Sequence, residues 1–141
     1  MNSNSDNIHS SSIQNILIVE DEIKFGHLLS KTLSKAGYIC SVTDNGARAV
    51  EKIETGSFDL VLSDIVMPEM DGIQLLKKIK PLYPGIDFII MTGYASRYSY
   101  VEIMNAGASD YLTKPFDMLS LVARIDRIAR EGILFTDYYG E

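Results

Sequence analysis

The chain has 141 residues, of which 46% are hydrophobic and 23% charged, and its net charge is −6. This is enough chain for one domain with a core that needs no disulfide or metal staple. No apolar run is long enough to cross a membrane, and the 13 Lys and Arg residues are scattered, so the sequence offers no basic footprint for nucleic acid.

Met1 to Gln14 is rich in Ser and Asn, with only Ile8 and Ile13 to bury, and reads as a flexible tail (1–14). Ile16 to Val19 is an apolar run with strand character, followed by Glu20-Asp21-Glu22. From Glu22 to Ala36, Phe25, Leu28, Leu29, Leu33 and Ala36 recur at helical spacing until Gly37 stops the helix. Tyr38 to Thr43 is the second strand. It contains the single cysteine, Cys40, which reads as a small buried hydrophobe. Asp44 is the expected N-cap of a helix from Ala47 to Glu54, with Val50 and Ile53 inward and Gly56 closing it.

The next stretch, Phe58 to Gly72, organises the rest. Leu60-Val61-Leu62 reads as a strand buried on both faces, and it ends abruptly at Ser63-Asp64. Met67-Pro68 and Asp71-Gly72 then force a loop, which leaves the Asp64 carboxylate at the carboxyl end of a core strand. Asp71 caps a helix through Lys80 that buries Ile73, Leu76 and Ile79, and Pro81 with Pro84-Gly85 ends it. Ile86 to Met91 is the fourth strand. Ala95 to Asn105 is expected to be a weakly anchored helix, capped by Ser96, with Val101 and Met104 as its thin apolar stripe. Tyr111 to Thr113 is a short fifth strand. Asp117 caps a last helix whose Leu121, Val122, Ile125, Ile128 and Ala129 face the core. Five successive βα units imply right-handed crossovers and a parallel sheet, an α/β fold.

Ligands of open α/β sheets bind beyond the carboxyl ends of the strands. Four strands here end in polar groups: Glu20-Asp21, Ser63-Asp64, Thr92-Gly93 and Lys114-Pro115. Carboxylates suit a hard divalent cation such as Mg2+, while a hydroxyl and an ammonium suit phosphoryl oxygens.

These motifs, Ile16 to Glu22, Asp64 with Met67-Pro68 and Asp71-Gly72, Thr92, and Lys114-Pro115-Phe116, resemble the receiver domain of two-component response regulators. The wording of Met91 to Tyr94 and of Asp110 to Phe116 is similar to that of nitrogen-regulation-type activators. The resemblance implies a flavodoxin-like, doubly wound sheet with strand order 2-1-3-4-5, a receiver unit over 15–131, and 132–141 as a tail or the start of a linker. It implies that Asp64 is the phosphoacceptor. Asp21, Asp64 and the Val66 carbonyl would hold Mg2+, with Glu20 acting through water because it is one methylene longer than the commoner aspartate. Lys114 and Thr92 would contact the phosphoryl group, Thr92 and Tyr111 would form the switch pair, and a cis bond would precede Pro115. Val66 and Tyr94, two residues beyond Asp64 and Thr92, are where the phosphoryl lifetime would be tuned.

The implied partners are a histidine kinase or phosphotransfer protein. A second copy is a further possible partner, through the face formed by the fourth helix, fifth strand and fifth helix. No contact with nucleic acid or membrane is expected. Without paired cysteines or a basic-then-apolar leader, the expected location is cytoplasmic. The chain would signal rather than turn over substrate.

Other readings fit less well. An aspartyl-phosphate hydrolase needs an acid two residues beyond its nucleophile, and that position is Val66. A nucleotide-binding flavodoxin-like domain would meet phosphate with Glu20-Asp21-Glu22, which repels it unless a metal intervenes. A phosphorylation-independent module has no need of Asp21, Asp64, Thr92 and Lys114 together. His27, beside Lys24 and Lys31, reads as part of a solvated face, and neither it nor His9 is convincing as a phosphotransfer site.

Overall fold

Along the central strands, successive side chains point to opposite faces, and both faces are covered. Leu17, Val19, Val61, Phe88 and Ile90 form one core with helices on one side. Ile16, Ile18, Leu60, Leu62, Ile89 and Met91 form a second core with helices on the other. In the computed structural model, which describes residues 12–93 and 97–139, the strands are β1 (Asn15–Val19), β2 (Ile39–Thr43), β3 (Leu60–Asp64), β4 (Asp87–Thr92) and β5 (Asp110–Thr113). All pair in parallel in the order β2-β1-β3-β4-β5, the flavodoxin-like, doubly wound arrangement that was expected.

The helices are α1 (Ile23–Lys35), α2 (Gly46–Thr55), α3 (Gly72–Ile79), α4 (Tyr100–Asn105) and α5 (Met118–Tyr139). Helices α1 and α5 cover one face through Leu29, Leu33, Leu121 and Ile125. Helices α2, α3 and α4 cover the other through Ile53, Ile73, Leu76 and Ile103. Helix α1 stops in a Schellman turn, with Gly37 at φ 105° and the N–H groups of Gly37 and Tyr38 donating to the carbonyls of Ser34 and Leu33, each at 3.1 Å.

Several local expectations are corrected. The N-cap of α2 is Asn45, which accepts from Arg48 N–H at 2.8 Å; Asp44 instead accepts from the Asn45 amide. Both residue types cap well, and reach to the N3 amide decides between them. Helix α4 begins at Tyr100 rather than Ala95. Its cap is Ser99, which closes a reciprocal box with Glu102; Ser96 lies outside the described residues. With that start Ile103 is buried and Val101 is 60% exposed. On α1, Leu28 is exposed, because Gly26, Leu29 and Leu33 already fill the stripe that meets the sheet.

At the ends, Ile13 is in the core, Gln14 accepts from Ile39 N–H, and the Gln14 and Asn15 amides donate to Asp59. Helix α5 runs through Gly132 to Tyr139. A Cβ on Gly132 would lie 2.8 Å from Ser12 Oγ, so glycine here admits a passing chain and does not end the helix. Ser12 Oγ donates to the Ala129 carbonyl at 2.9 Å.

Candidate functional site

The register brings four strand ends to one level. Val19 pairs with Ser63, Asp64 with Met91, and Thr92 with Thr113. Glu20 therefore emerges beside Asp64. Lys114 follows β5, with its backbone N–H on the Thr92 carbonyl at 2.6 Å. Between strand order and loop direction, residues from three separate parts of the chain, Glu20 with Asp21, Asp64 and Lys114, meet above β1 and β3.

Glu20 is 1% exposed and Asp64 is buried, while Asp21 is exposed. Carboxylate oxygens of all three lie within 4.8 Å of one another. Glu20 Oε2 accepts from Glu22 N–H at 3.1 Å, and Glu20 Oε1 accepts from Lys114 Nζ at 3.1 Å. Lys114 Nζ also donates to Asp64 Oδ2 at 3.2 Å, and Val66 N–H points at Asp64 Oδ1 from 3.4 Å. Burial raises the Glu20 carboxyl above the ordinary carboxylate range, and the charge of Asp64 adds to the rise; the Glu22 N–H and Lys114 oppose it. Burial acts to lower the Lys114 ammonium, but the charge of Asp64 and the bond and charge of Glu20 outweigh it, so its pKa is raised.

Three clustered carboxylates against one ammonium leave the site negative, and its donors are all oxygen. This donor set fits a hard divalent cation. Asp21 is the member of the trio that is exposed, whereas both Glu20 oxygens already accept hydrogen bonds.

Backbone contacts hold the loop that leaves Asp64. Gly72 N–H donates to the Ile65 carbonyl at 2.9 Å, and a Cβ at residue 72 would sit 2.4 Å from the Asp64 carbonyl oxygen. Within the loop, Met70 N–H donates to the Pro68 carbonyl across Glu69, whose φ is 68°, a tight turn in the left-handed region. Asp71 closes the loop with a capping box to Gln74 and starts α3.

The remaining expected residues fall at the rim. Thr92 is buried at the end of β4. The Tyr111 ring, on β5, lies 5.0 Å from that of Tyr100 at 53°. Val66 is 49% exposed, and Tyr94 lies outside the described residues. The Lys114–Pro115 bond is cis, as expected. His27 is exposed on α1, as a solvated-face residue should be.

Two contacts escaped the sequence reading. Lys114 Nζ lies 4.9 Å from the centre of the Phe25 ring, which meets Phe116 edge-on at 6.0 Å. Tyr98 donates through its hydroxyl to Asp71 Oδ2 at 2.9 Å, and the hydrogen bond raises the Tyr98 phenol. Tyr98 lines an open cleft of about 410 Å³ with Ile65, Val66, Met67, Asp71 and Arg97. Tyr98 lies six residues beyond the end of β4 and 27 from Asp71, so no local pattern signals its contact, whereas Phe25, four residues beyond Asp21 on the first helical turn, can be placed by helix geometry toward the strand ends.

Among characterised proteins, the chain is 47% identical over 102 residues to the transcriptional regulatory protein ZraR of Klebsiella oxytoca, covering 72% of this chain and 23% of that one. It is 39% identical over 112 residues to the DNA-binding transcriptional regulator NtrC of Escherichia coli K12, covering 79% and 24%. The chain thus spans about a quarter of the length of these relatives. Its fold matches the crystal structure of a response regulator receiver domain protein (CheY-like) from Methanospirillum hungatei JF-1, with a TM-score of 0.78 at 36% identity over 83% of this chain and 94% of that one. Residues 16–126 match the family described as response regulator receiver domain, and the chain belongs to that family of two-component signalling domains.

Proposed function

We propose that Asp64 accepts a phosphoryl group from a phosphohistidine on a histidine kinase or phosphotransfer protein, and that the receiver unit over 15–131 thereby switches a partner-binding surface. One observation supports this above the rest: Lys114 Nζ bridges Glu20 and Asp64 at 3.1 and 3.2 Å beside an exposed Asp21. A carboxylate is a weak nucleophile, so positioning and charge neutralisation must supply most of the assistance. In the transfer, an Asp64 carboxylate oxygen attacks phosphorus, a P–O bond forms as the P–N bond of the donor breaks, and the imidazole leaves with the electron pair.

Mg2+ would be held by Asp21, Asp64 and the Val66 carbonyl, with Glu20 reaching it through water. Its contribution when bound is to neutralise charge on the transferring phosphoryl oxygens. Lys114 meets the new negative charge as a compact donor, and the Thr92 hydroxyl is drawn to the same oxygens. Tyr111, which now packs on Tyr100, moves with Thr92. That coupling redistributes the segment from Thr92 through Tyr111, and the face of α4, β5 and α5 becomes the place where a partner or a second copy docks. The chain acts in the cytoplasm, contacts neither nucleic acid nor membrane itself, and does not turn over substrate.

Incubation with acetyl phosphate and Mg2+, followed by intact mass, tests the reading. One phosphoryl group should be gained, and none in Asp64→Asn or in excess chelator. A gain that persists in either control overturns it.

A further inference from the structure

Lysine is the least constrained donor at the site. Its ammonium sits at the end of a flexible four-carbon stem and carries three N–H groups, of which Glu20 and Asp64 take two. Two hydrogen bonds alone do not fix such a stem, and one of them ends on the atom group that would be modified. The third partner is different in kind. The face of Phe25 lies 4.9 Å from Nζ, and the ring is held by Phe116, whose edge meets it at 6.0 Å and 61°. An aromatic face attracts a cation through its quadrupole without competing as a conventional acceptor, and the attraction grows when the pair is partly removed from water. The Lys114 side chain is 25% exposed, and Phe25 packs half-buried against the core that α1 and α5 cover.

We propose that Phe25 is a positioning residue for Lys114: its ring face holds the ammonium where it meets Glu20 and Asp64 together and leaves a donor for a phosphoryl oxygen on Asp64. The inference rests on the phosphoacceptor reading for its consequence, but the contact itself does not. The ring neither titrates nor reacts, so it is the partner of Lys114 whose chemistry is the same before and after Asp64 is modified. A residue that served only to fill the core at this position would be replaceable by leucine without loss at the site. A residue that holds the ammonium would not.

The experiment uses the full chain with Phe25→Leu, which keeps apolar bulk and removes the ring, and Phe25→Tyr, which keeps the ring; Phe25→Met replaces the leucine variant if that one melts early. In two-dimensional 1H–13C spectra, ring current should set the Lys114 ε-methylene protons upfield of other lysines in the native chain and in Phe25→Tyr, and this shift should vanish in Phe25→Leu. The initial rate of Mg2+-dependent phosphorylation by acetyl phosphate should fall about five-fold in Phe25→Leu, within the range a partly desolvated cation–ring contact supplies, and recover in Phe25→Tyr. In a Lys114→Met background, Phe25→Leu should cause no further fall. A Lys114 shift indifferent to the ring, or a Phe25→Leu loss of equal size without Lys114, overturns the proposal. If the shift follows the ring while no chain gains phosphate, the positioning contact stands and the phosphoacceptor role falls.

Discussion

Lys114 Nζ stands nearly midway between Glu20 Oε1 and Asp64 Oδ2, at 3.1 and 3.2 Å, although β5 lies three strands from β1 in the sheet. At about 4.8 Å per strand, that is a span of roughly 14 Å, more than a lysine side chain alone covers. The distance is closed by the backbone, because the Lys114 N–H bonds to the Thr92 carbonyl and carries the loop in over β4. Removing this ammonium strands a carboxylate that is 1% exposed. Lys114→Met should destabilise the chain by about 1–2 kcal/mol, the partial exposure of Lys114 keeping the loss below that of a fully buried pair. Adding Glu20→Gln should recover most of it, as measured by urea unfolding of the single and double variants.

The raised pKa of Glu20 sets a pH dependence. Its folded-state value lies above the ordinary 4.5, so the folded chain holds this proton more readily than the unfolded one. The stabilising contribution is fully present below about 4.5 and is lost as pH rises through the folded value. Relative to Glu20→Gln, which does not titrate, the native chain should therefore lose stability as pH rises above about 4.5. A stability difference between the two that stays flat with pH, followed by urea unfolding, would remove the basis for this assignment.

Mg2+ affinity should separate the two acidic neighbours. Asp21 is exposed at the mouth of the cluster, whereas Glu20 spends its oxygens on Glu22 and Lys114. Asp21→Ala should weaken binding by on the order of ten-fold, and Glu20→Gln by clearly less, in a calorimetric Mg2+ titration. Equal losses would count against a direct role for Asp21.

Tyr98 ties the segment entering α4 to the N-cap of α3. Tyr98→Phe should cost about 1 kcal/mol and speed amide exchange across 97–105. Asp71→Ser is the informative partner, since serine still caps α3 but offers no second oxygen to Tyr98. The two substitutions together should cost less than the sum of their separate effects, and strict additivity would show that the hydroxyl and carboxylate do not interact.

The phosphorylated state, once formed, should decay slowly. Hydrolysis needs an oriented water, and Val66 is half-exposed beside Asp64 with no group to hold one. We expect decay over minutes or longer, with faster loss in the double variant Val66→Asn with Tyr94→Glu. Phosphoprotein mass followed over time decides it, and rapid native decay would refute the argument.

The sheet was legible because buried parallel strands announce themselves as apolar runs, and each of these runs stopped at a polar residue. Glu20, Asp64, Thr92 and Lys114 stand at or just past strand ends that the apolar runs alone mark. The misses lie where short-range signals tie. Asp44 and Asn45 are both good caps, as are Ser96 and Ser99, and only the N3 amide and the Glu102 side chain break the tie. The closeness of Ser12 to Gly132, in the last helix, spans 120 positions of chain and leaves no local trace. Phe25 was visible as a core residue, but the cation above it comes from β5, which helical periodicity in α1 cannot report.

Gly72 divides the loop after Asp64 into what is free to vary and what is not. A side chain there would meet the Asp64 carbonyl oxygen at 2.4 Å and the Ile65 Cα at 3.0 Å, so the path of the loop tolerates one residue type at that point. Val66, in the same loop, has its side chain half in solvent. Under the proposed phosphoacceptor role of Asp64, a substitution at Val66 should change the signal's duration without disturbing the scaffold that aims the carboxylate, and a clock of this design would be retimed by single substitutions while its mainspring stays as it is.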